Sequence, residues 1–145
     1  MPTEPDPIPG PQSRGLGSRF NAGQIVIVDW RGDALPKEPS KLRPAIVVEA
    51  DGLFAPSYPN VLVVPLTEDQ AFVIPDLSVA IDPTAANACP KPCWAASHMV
   101  TAISKMRVNR ATASNITEAQ LAAIREQIVE CVASAHVAAG IGRLA

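Results

Sequence analysis

The chain has 145 residues, which is room for one domain and one hydrophobic core, because two domains of that combined length would each be too small. Hydrophobic residues make up 48% of the chain, as in an ordinary globular protein. The longest apolar run, 61–66, falls far short of the roughly 20 residues that cross a bilayer, so no membrane insertion is expected. The formal net charge of -2 means that nucleic acid would have to bind at a local basic patch.

The cysteines and the N-terminus predict a cytoplasmic protein. Cys89, Cys93 and Cys131 are an odd number, and no charged segment followed by an apolar one is present to direct export. Cys89 and Cys93 form a C-x-x-x-C pattern that supplies half of a zinc site, but zinc needs two further ligands and His98 is the only near candidate. Nucleotide-binding glycine loops and H-E-x-x-H motifs are also missing, so we expect neither a metal nor another cofactor.

The N-terminal part of the chain differs from the rest in composition. Residues 1–20 are rich in Pro, Gly and Ser and have no apolar periodicity, which predicts a flexible tail. Residues 21–145 are predicted to be the folded domain. Within this domain, a polar loop with two prolines is expected at 31–42 and a linker at 83–94.

Five segments of the domain predict strands. Three of them are β-branched runs bounded by turn residues, the fourth alternates apolar and small or polar residues, and the fifth has weaker strand propensity. In chain order they are 24–30, 44–49, 60–66, 77–82 and 97–103. Three successive strands with no helix between them indicate an antiparallel sheet.

The clearest helix lies near the C-terminus. Thr117 and Gln120 form a capping box, and the helix is predicted to run from Glu118 to about Ala139, before Gly140. The apolar residues that repeat at spacings of three and four are Leu121, Ile124, Ile128 and Val132. Several short strands followed by one amphipathic helix predict a mainly β fold, a small barrel or strongly curved sheet whose open face or edge the helix covers.

Two residues at strand ends are candidates for chemistry on a phosphate. Arg43 precedes Pro44, which fixes the arginine in an extended backbone where a loop enters a strand, and its guanidinium suits a phosphate. Thr67 follows the run 61–66, so its hydroxyl at the strand end is placed to donate to a phosphate oxygen. Each has an ordinary alternative, a surface salt bridge for Arg43 and a hydrogen bond that closes the turn 67–69 for Thr67.

The order and spacing of several blocks resemble the MazF/PemK toxin family. The blocks are 23–30 (GQIVIVDW), 41–48 (KLRPAIVV), 61–67 (VLVVPLT), 87–89 (NAC, where the family has Asn-Gly-Leu) and 97–107 (SHMVTAISKMR), and the similarity spans residues 23–137. Three features depart from the usual pattern: the long Pro-rich start, Ala88 where glycine is common, and the linker from Cys89 to Cys93.

The resemblance implies an SH3-like small barrel that forms a homodimer, with Arg43 and Thr67 at the catalytic positions and single-stranded RNA in the groove between subunits. It implies a metal-independent, sequence-selective endoribonuclease of a type II toxin–antitoxin system. In such an enzyme the ribose 2′-hydroxyl attacks the adjacent phosphorus, so DNA is not cut. The implied protein partner is a cognate antitoxin whose disordered segment folds across the RNA groove.

Further residues are candidates for contacts with RNA. Lys41 and Lys105 are expected to bind backbone phosphates, although scattered lysines usually form only a solvated surface. Trp30 and Phe54 are expected to stack on splayed bases, while Trp30 also fits a core role. His98 is a candidate proton carrier because its unperturbed pKa lies near neutrality, or else an exposed strand residue.

Two other functions fit the same fold. One is a toxin that inhibits a protein target such as DNA gyrase without cutting RNA, since fold does not determine function. Such a binder would need neither Arg43 nor Thr67. The other is a catalytically silent interaction module whose apolar groove takes an extended peptide.

Overall fold

The computed structural model describes residues 20–30 and 42–133, which form an antiparallel sheet of seven strands followed by one α-helix. The strands are β1 (Gln24–Asp29), β2 (Leu42–Val47), β3 (Asn60–Thr67), β4 (Ser78–Ile81), β5 (Cys93–Ala96), β6 (Thr101–Ser104) and β7 (Val108–Asn115), and the helix is α1 (Glu118–Ala133). This confirms the predicted mainly β class with a C-terminal helix. Among the described residues, no helix is both long and apolar enough to cross a membrane.

The central strand is β3, which pairs with three neighbours. On one side it pairs with β2, and on the other with β6 along its first half and β5 along its second. The strand order is β4-β5-β3-β2-β1-β7, with β6 beside β3. In the described part of the chain no pairing joins β4 to β7, so the sheet is curved but not closed into a barrel.

Both faces of the sheet are buried, which explains why β1, β2 and β3 read as nearly continuous apolar runs. Alternate residues go to opposite faces. The helix-side core, which also receives side chains of α1, consists of Ile25, Ile46, Val48, Val64, Leu66, Ile81, Cys93, Ala95, Ile116, Leu121 and Ile124. The opposite core consists of Phe20, Val26, Val28, Trp30, Ala45, Val47, Val61, Val63, Ile103 and Val108.

The start of α1 forms as predicted. Thr117 Oγ1 accepts from Gln120 N at 3.0 Å, and Thr117 N donates to Gln120 Oε1 at 2.9 Å, which is the capping box. Arg125 then ties the helix to the sheet, because its guanidinium donates to the carbonyls of Val48 and Glu49. Of the apolar repeat, Leu121 and Ile124 are buried, whereas Val132 is 77% exposed. The predicted end at Ala139 lies outside the described residues.

Two strands were missed and one was misplaced. β5 falls at the end of the segment that was predicted to be a linker, and β7 was not predicted because its sequence, VNRATASN, is mostly polar. The predicted strand 97–103 begins instead as a 3-10 turn at Ser97–Met99, with β6 following it. Phe20, placed by the sequence at the end of the tail, is 7% exposed within the opposite core. Residues 1–19 lie outside the described part.

Candidate active site

A cleft of about 690 Å³ lies where β2 begins and β3 ends. Its walls are formed by β1 and β7, by these two strand ends, and by the loop that leads into β5. The residues that line it are Ile25, Ile27, Leu42, Arg43, Pro44, Leu66, Thr67, Glu68, Asn87, Ala88, Cys89, Pro90, Lys91, Cys93, Arg110, Thr112, Ala113 and Ser114. The cleft therefore contains both residues that the sequence singled out for phosphate chemistry.

The pairing of β2 with β3 explains why Arg43 and Thr67 come to the same cleft. Ala45 lies opposite Pro65, and the same antiparallel register continued by two residues puts Arg43 opposite Thr67. Residues directly opposite each other in an antiparallel pair have Cβ atoms roughly 5 Å apart. Pro65 has no N–H to give to the ladder, so the observed pairing stops there and the strand ends are left at the cleft.

Thr67 makes the turn contact that the sequence offered as its ordinary role. The residue is 3% exposed, and its Oγ1 accepts from Asp69 N at 3.0 Å. A hydroxyl carries one donor and two acceptor positions, so accepting this N–H fixes the oxygen while the O–H remains able to donate. The turn contact and donation to a phosphate oxygen are thus compatible at the same side chain.

Arg43 lies in a rigid place. It is half-buried, is paired in register with Val28 of β1, and precedes Pro44, whose ring restricts the arginine backbone. A guanidinium on a strand that has neighbours on both sides loses less freedom on binding a phosphate than one on a loop. The strand geometry thus brings a permanent positive charge to the cleft that Thr67 also lines.

Strand β7 adds polar side chains that sequence analysis did not assign to the site. Arg110, Thr112 and Ser114 all line the cleft. Thr112 Oγ1 donates to Ile25 O at 2.6 Å and accepts from Ser114 N at 3.0 Å, so this hydroxyl holds β7 against β1. Arg110 is exposed and paired in register with Ile27. These three residues are spaced two apart, the spacing that puts strand residues on one face, and this pattern could have grouped them from the sequence.

The remaining charges in the cleft are Lys91 and Glu68. Lys91 Nζ lies 3.2 Å from Glu68 Oε1, with the side chains 65% and 47% exposed. An ion pair this exposed contributes little to stability, so an incoming phosphate can compete with the carboxylate for the ammonium. Together with Arg43 and Arg110, Lys91 gives the cleft three cationic side chains against one carboxylate, despite the negative net charge of the chain.

The loop before β5 is organised around Asn87, which is 4% exposed. Its Oδ1 accepts from the backbone N of Thr84 and of Cys89, and its Nδ2 donates to Asp82 O. Ala88 follows with φ +52°, and in the described ranges it is the only residue other than glycine with a positive φ. That conformation favours glycine, which explains why glycine is common at this position in the family that the sequence resembles.

Two other residues that were predicted to contact RNA, Trp30 and Lys105, are not among those that line the cleft. Trp30 is 6% exposed within the opposite core, which favours its core role over stacking on a base. Lys105 is 4% exposed and its ammonium donates to Pro56 O at 2.9 Å, which favours a structural role over a contact with phosphate. Both differences from the expectation have the same cause: these side chains are buried in the fold.

Three further predicted residues lie outside the cleft or outside the described ranges. Phe54 is 37% exposed and stacks on Tyr58 with ring centroids 5.0 Å apart, so its contact with RNA stays a prediction. His98 is half-buried in the 3-10 turn before β6, with Nδ1 buried and without a hydrogen-bond partner among the described residues. Its role in proton transfer stays a prediction. Lys41 lies outside the described residues.

The cysteine pair is part of the cleft wall. Burial, followed by the neighbouring Cys89 and the charges of Glu68 and Asp82, raises the pKa of the Cys93 thiol to about 12. Cys93 Sγ also lies 3.9 Å from Ile81 O. In the described ranges no group of three or more His, Cys, Asp or Glu side chains is arranged to hold a metal ion.

Comparison with known proteins agrees with this fold and cleft. The sequence profile of the PemK-like, MazF-like toxins of type II toxin–antitoxin systems matches residues 21–132. No curated protein sequence matches the chain. The match to the profile covers most of the chain, which therefore belongs to the PemK/MazF-like toxin family.

Solved structures show the same fold at low sequence identity. The Mycobacterium tuberculosis toxin MazF-mt6 has a TM-score of 0.58 and 21% identity, over 75% of this chain and 95% of that one. A mycobacterial endoribonuclease in complex with its cognate antitoxin has a TM-score of 0.58 and 15% identity, over 78% and 94%. MazF from Deinococcus radiodurans has a TM-score of 0.57 and 16% identity, over 79% and 96%.

Proposed function

We propose that this toxin is a metal-independent endoribonuclease that cuts single-stranded RNA at the cleft of Arg43 and Thr67. The observation that carries the proposal is that Arg43, near the start of β2, and Thr67, at the end of β3, line the same cleft. Neither side chain alone would be strong evidence for a nuclease site. A permanent cation and a hydroxyl donor in one cleft suit the two non-bridging oxygens of a phosphodiester, which share one negative charge.

The reaction uses a nucleophile that the substrate supplies. The ribose 2′-oxygen forms a bond to the adjacent phosphorus, the bond from phosphorus to the 5′-oxygen breaks, and the proton lost by the 2′-hydroxyl is balanced by one gained at the 5′-oxygen. Because the nucleophile is already adjacent, the protein mainly has to orient the backbone and stabilise the charge on the pentavalent phosphorus. Arg43 and Thr67 supply donors for that charge. DNA lacks the 2′-hydroxyl and is not cut.

The other cations of the cleft bind the flanking phosphates. Arg110 on β7 and Lys91 on the opposite loop lie on different walls, so an RNA backbone that crosses the cleft passes both. Unpaired bases can turn into the apolar part of the cleft, at Ile27, Leu42 and Pro44, whereas a duplex hides its base edges. Single-stranded RNA is therefore the proposed substrate, with mRNA as its main source.

The proposed partners are a second copy of the chain and a cognate antitoxin. Large apolar side chains stay exposed on α1, with Val129 57% and Val132 77% accessible, and these suit burial against another protein surface. A mycobacterial endoribonuclease of the same fold occurs in complex with its cognate antitoxin. An acidic antitoxin segment that binds the three cations of the cleft would exclude RNA from it.

The test is cleavage of a long single-stranded RNA by the purified protein in excess EDTA, with a DNA of the same sequence in parallel and the cut sites mapped. We expect RNA alone to be cut, at selected sites. Arg43→Ala should lower the rate by about 10²- to 10³-fold, the usual loss for one donor to a transition-state oxyanion. Arg43→Lys keeps the charge but not the planar fork, so it should restore only part of the rate.

Either of two results contradicts the proposal. Intact RNA at high protein concentration, with Arg43→Ala equally toxic to growing cells, would favour a toxin that acts on a protein target. Cleavage that survives Arg43→Ala at the full rate would place the active site elsewhere. Thermal unfolding of each variant checks that the substitution leaves the fold intact.

A further inference from the structure

Two thiols have no part in the proposed cleavage, yet both line the cleft. Cys93 is buried on β5, and Cys89 is half-buried in the loop before it. Cys89 packs against the helix-side core to which Cys93 belongs, and it is near enough to contribute to the raised pKa of the Cys93 thiol. The fold therefore holds the reduced thiols side by side.

Both ends of the segment between the thiols are anchored. Cys89 N donates to Asn87 Oδ1 at 2.9 Å, and Cys93 is paired in register with Ile81 of β4. Pro90 and Pro92 restrict the backbone between the cysteines. A short segment with fixed ends and two prolines has few conformations that would separate the sulfur atoms, which favours a bond between them.

We propose that Cys89 and Cys93 are a modification site, at which mild oxidation joins the two thiols in an intramolecular disulfide that slows RNA cleavage in the adjoining cleft. The effect on cleavage rests on the proposed function, whereas the disulfide itself does not. The oxidant is a peroxide. The site is reversible, because thiol reductants restore the pair.

The step balances with hydrogen peroxide. The Cys89 sulfur attacks one peroxide oxygen, becomes a sulfenic acid and releases water. The Cys93 sulfur then attacks the Cys89 sulfur, the S–O bond breaks as the S–S bond forms, and the hydroxyl leaves as a second water with the Cys93 proton. The order follows from the environments: Cys89 is the more accessible, and the raised pKa of Cys93 keeps that thiol protonated until the second step.

The disulfide should alter the cleft because the loop has to move. A disulfide brings the sulfur atoms to about 2 Å, closer than two thiols that are in contact but not bonded. Cys93 is held in the sheet next to Trp94, which pairs with Thr67, so the displacement falls on the loop. That loop carries Lys91, whose ammonium contacts Glu68, the residue after Thr67. A shift of about 1 Å at a catalytic site can cost about 10²-fold in rate.

The experiment uses the full chain with Cys131→Ser, since Cys131 is exposed on α1 and its thiol would otherwise react. The protein is treated with hydrogen peroxide, the excess is removed with catalase, and free thiols and intact mass are measured before and after dithiothreitol. We expect both thiols to disappear together with a loss of two hydrogen atoms in mass, reversed by the reductant. RNA cleavage should fall about tenfold or more in the oxidised protein and recover on reduction.

Matched variants separate the disulfide from other oxidation. Cys89→Ser and, independently, Cys93→Ser are made in the Cys131→Ser background, and each is compared with its own reduced sample. The oxidant should not slow cleavage by Cys89→Ser, whose substitution is in a loop and leaves the core intact. Cys93→Ser should stop at a sulfenic acid on Cys89. Its serine hydroxyl can contact Ile81 O as the thiol does.

The outcomes are distinguishable. Two thiols that stay titratable after peroxide, or a disulfide between chains, overturn the modification site. A clean intramolecular disulfide with an unchanged cleavage rate overturns the effect on the cleft. If the reduced protein cuts no RNA, the proposed nuclease is wrong, and the thiol count and mass still decide whether the site exists.

Discussion

The cationic side chains near the two ends of strand β3 lie in opposite environments. At the Asn60 end, Lys105 is buried, its ammonium donates to Pro56 O at 2.9 Å and its backbone N donates to Pro59 O at 2.8 Å. At the Thr67 end, Arg43 lies at an open cleft. Both cations were predicted to contact RNA. The difference teaches that a cation serves the fold where its ammonium is buried against a backbone carbonyl, and is placed to contact a ligand where it lines a cleft.

The largest expected effect is on the rate of RNA cleavage, at the cleft end of β3. Thr67→Val removes the donor and should lower RNA cleavage by about 10²-fold, as for loss of one oxyanion-hole donor. Thr67→Ser keeps the hydroxyl and should stay within a few-fold of the natural rate. Thr101→Val, an exposed position on β6 outside the cleft, is the control and should leave the rate unchanged. A fully active Thr67→Val would leave Thr67 only its turn contact with Asp69.

The buried end should respond in stability rather than in activity. Lys105→Met keeps the apolar stem but leaves Pro56 O without its charged donor, which should lower the free energy of unfolding by about 1 to 3 kcal/mol. Denaturant unfolding measures this change. Cleavage per folded molecule should stay the same, since Lys105 is not among the residues that line the cleft. A variant of normal stability that binds RNA weakly would restore Lys105 to the RNA surface.

Replacing Ala88, in the loop before β5, with glycine should stabilise the protein. Ala88 has φ +52°, and relief of that conformation outweighs the added freedom of glycine in the unfolded chain, so Ala88→Gly should raise the free energy of unfolding by about 0.5 to 1 kcal/mol. Ala86→Gly, at a neighbouring exposed position without a positive φ, should lower it slightly. Equal losses in the two variants would argue against strain at Ala88.

The smallest effect is expected at the wall formed by β7. Arg110→Ala should weaken RNA binding a few-fold and reduce the slope of log affinity against log salt concentration by about 0.7, the value for one phosphate contact on a single strand. Filter binding with an uncleavable RNA measures both quantities. Arg110→Lys should keep the slope. An unchanged slope in Arg110→Ala would remove Arg110 from the phosphate path.

The residues that sequence alone identified share a local signal. β1, β2 and β3 contain β-branched runs, and α1 begins with a capping box. Arg43 and Thr67 lie at the ends of two of those runs. A short stretch of sequence is therefore enough to locate these elements and both residues. The sequence could not show that Arg43 and Thr67 line one cleft, because their positions depend on the pairing of distant segments. The resemblance to a family supplied that link.

The residues that sequence alone missed or misplaced depend on distant contacts. β7 is polar and its pairing with β1 contains two register shifts, so neither its propensity nor a clean alternation marked it as a strand, and Arg110 was left out of the site. Lys105 and Trp30 carry the residue types of an RNA surface. Only the packing around them shows that one is tied to Pro56 O and the other is enclosed in a core.

The sheet that is not closed has a consequence for self-association. Among the described strands the outermost are β4, whose Ser78 and Ala80 carbonyls accept side-chain amides of α1, and β7, with which another strand could pair, the usual start of edge-to-edge aggregation. β4 is only four residues long, and β7 carries the charge of Arg110 together with its register shifts. Short length, charge and irregularity each hinder the addition of a further strand. The polar sequence that kept β7 from being predicted is thus also expected to hinder edge-to-edge aggregation.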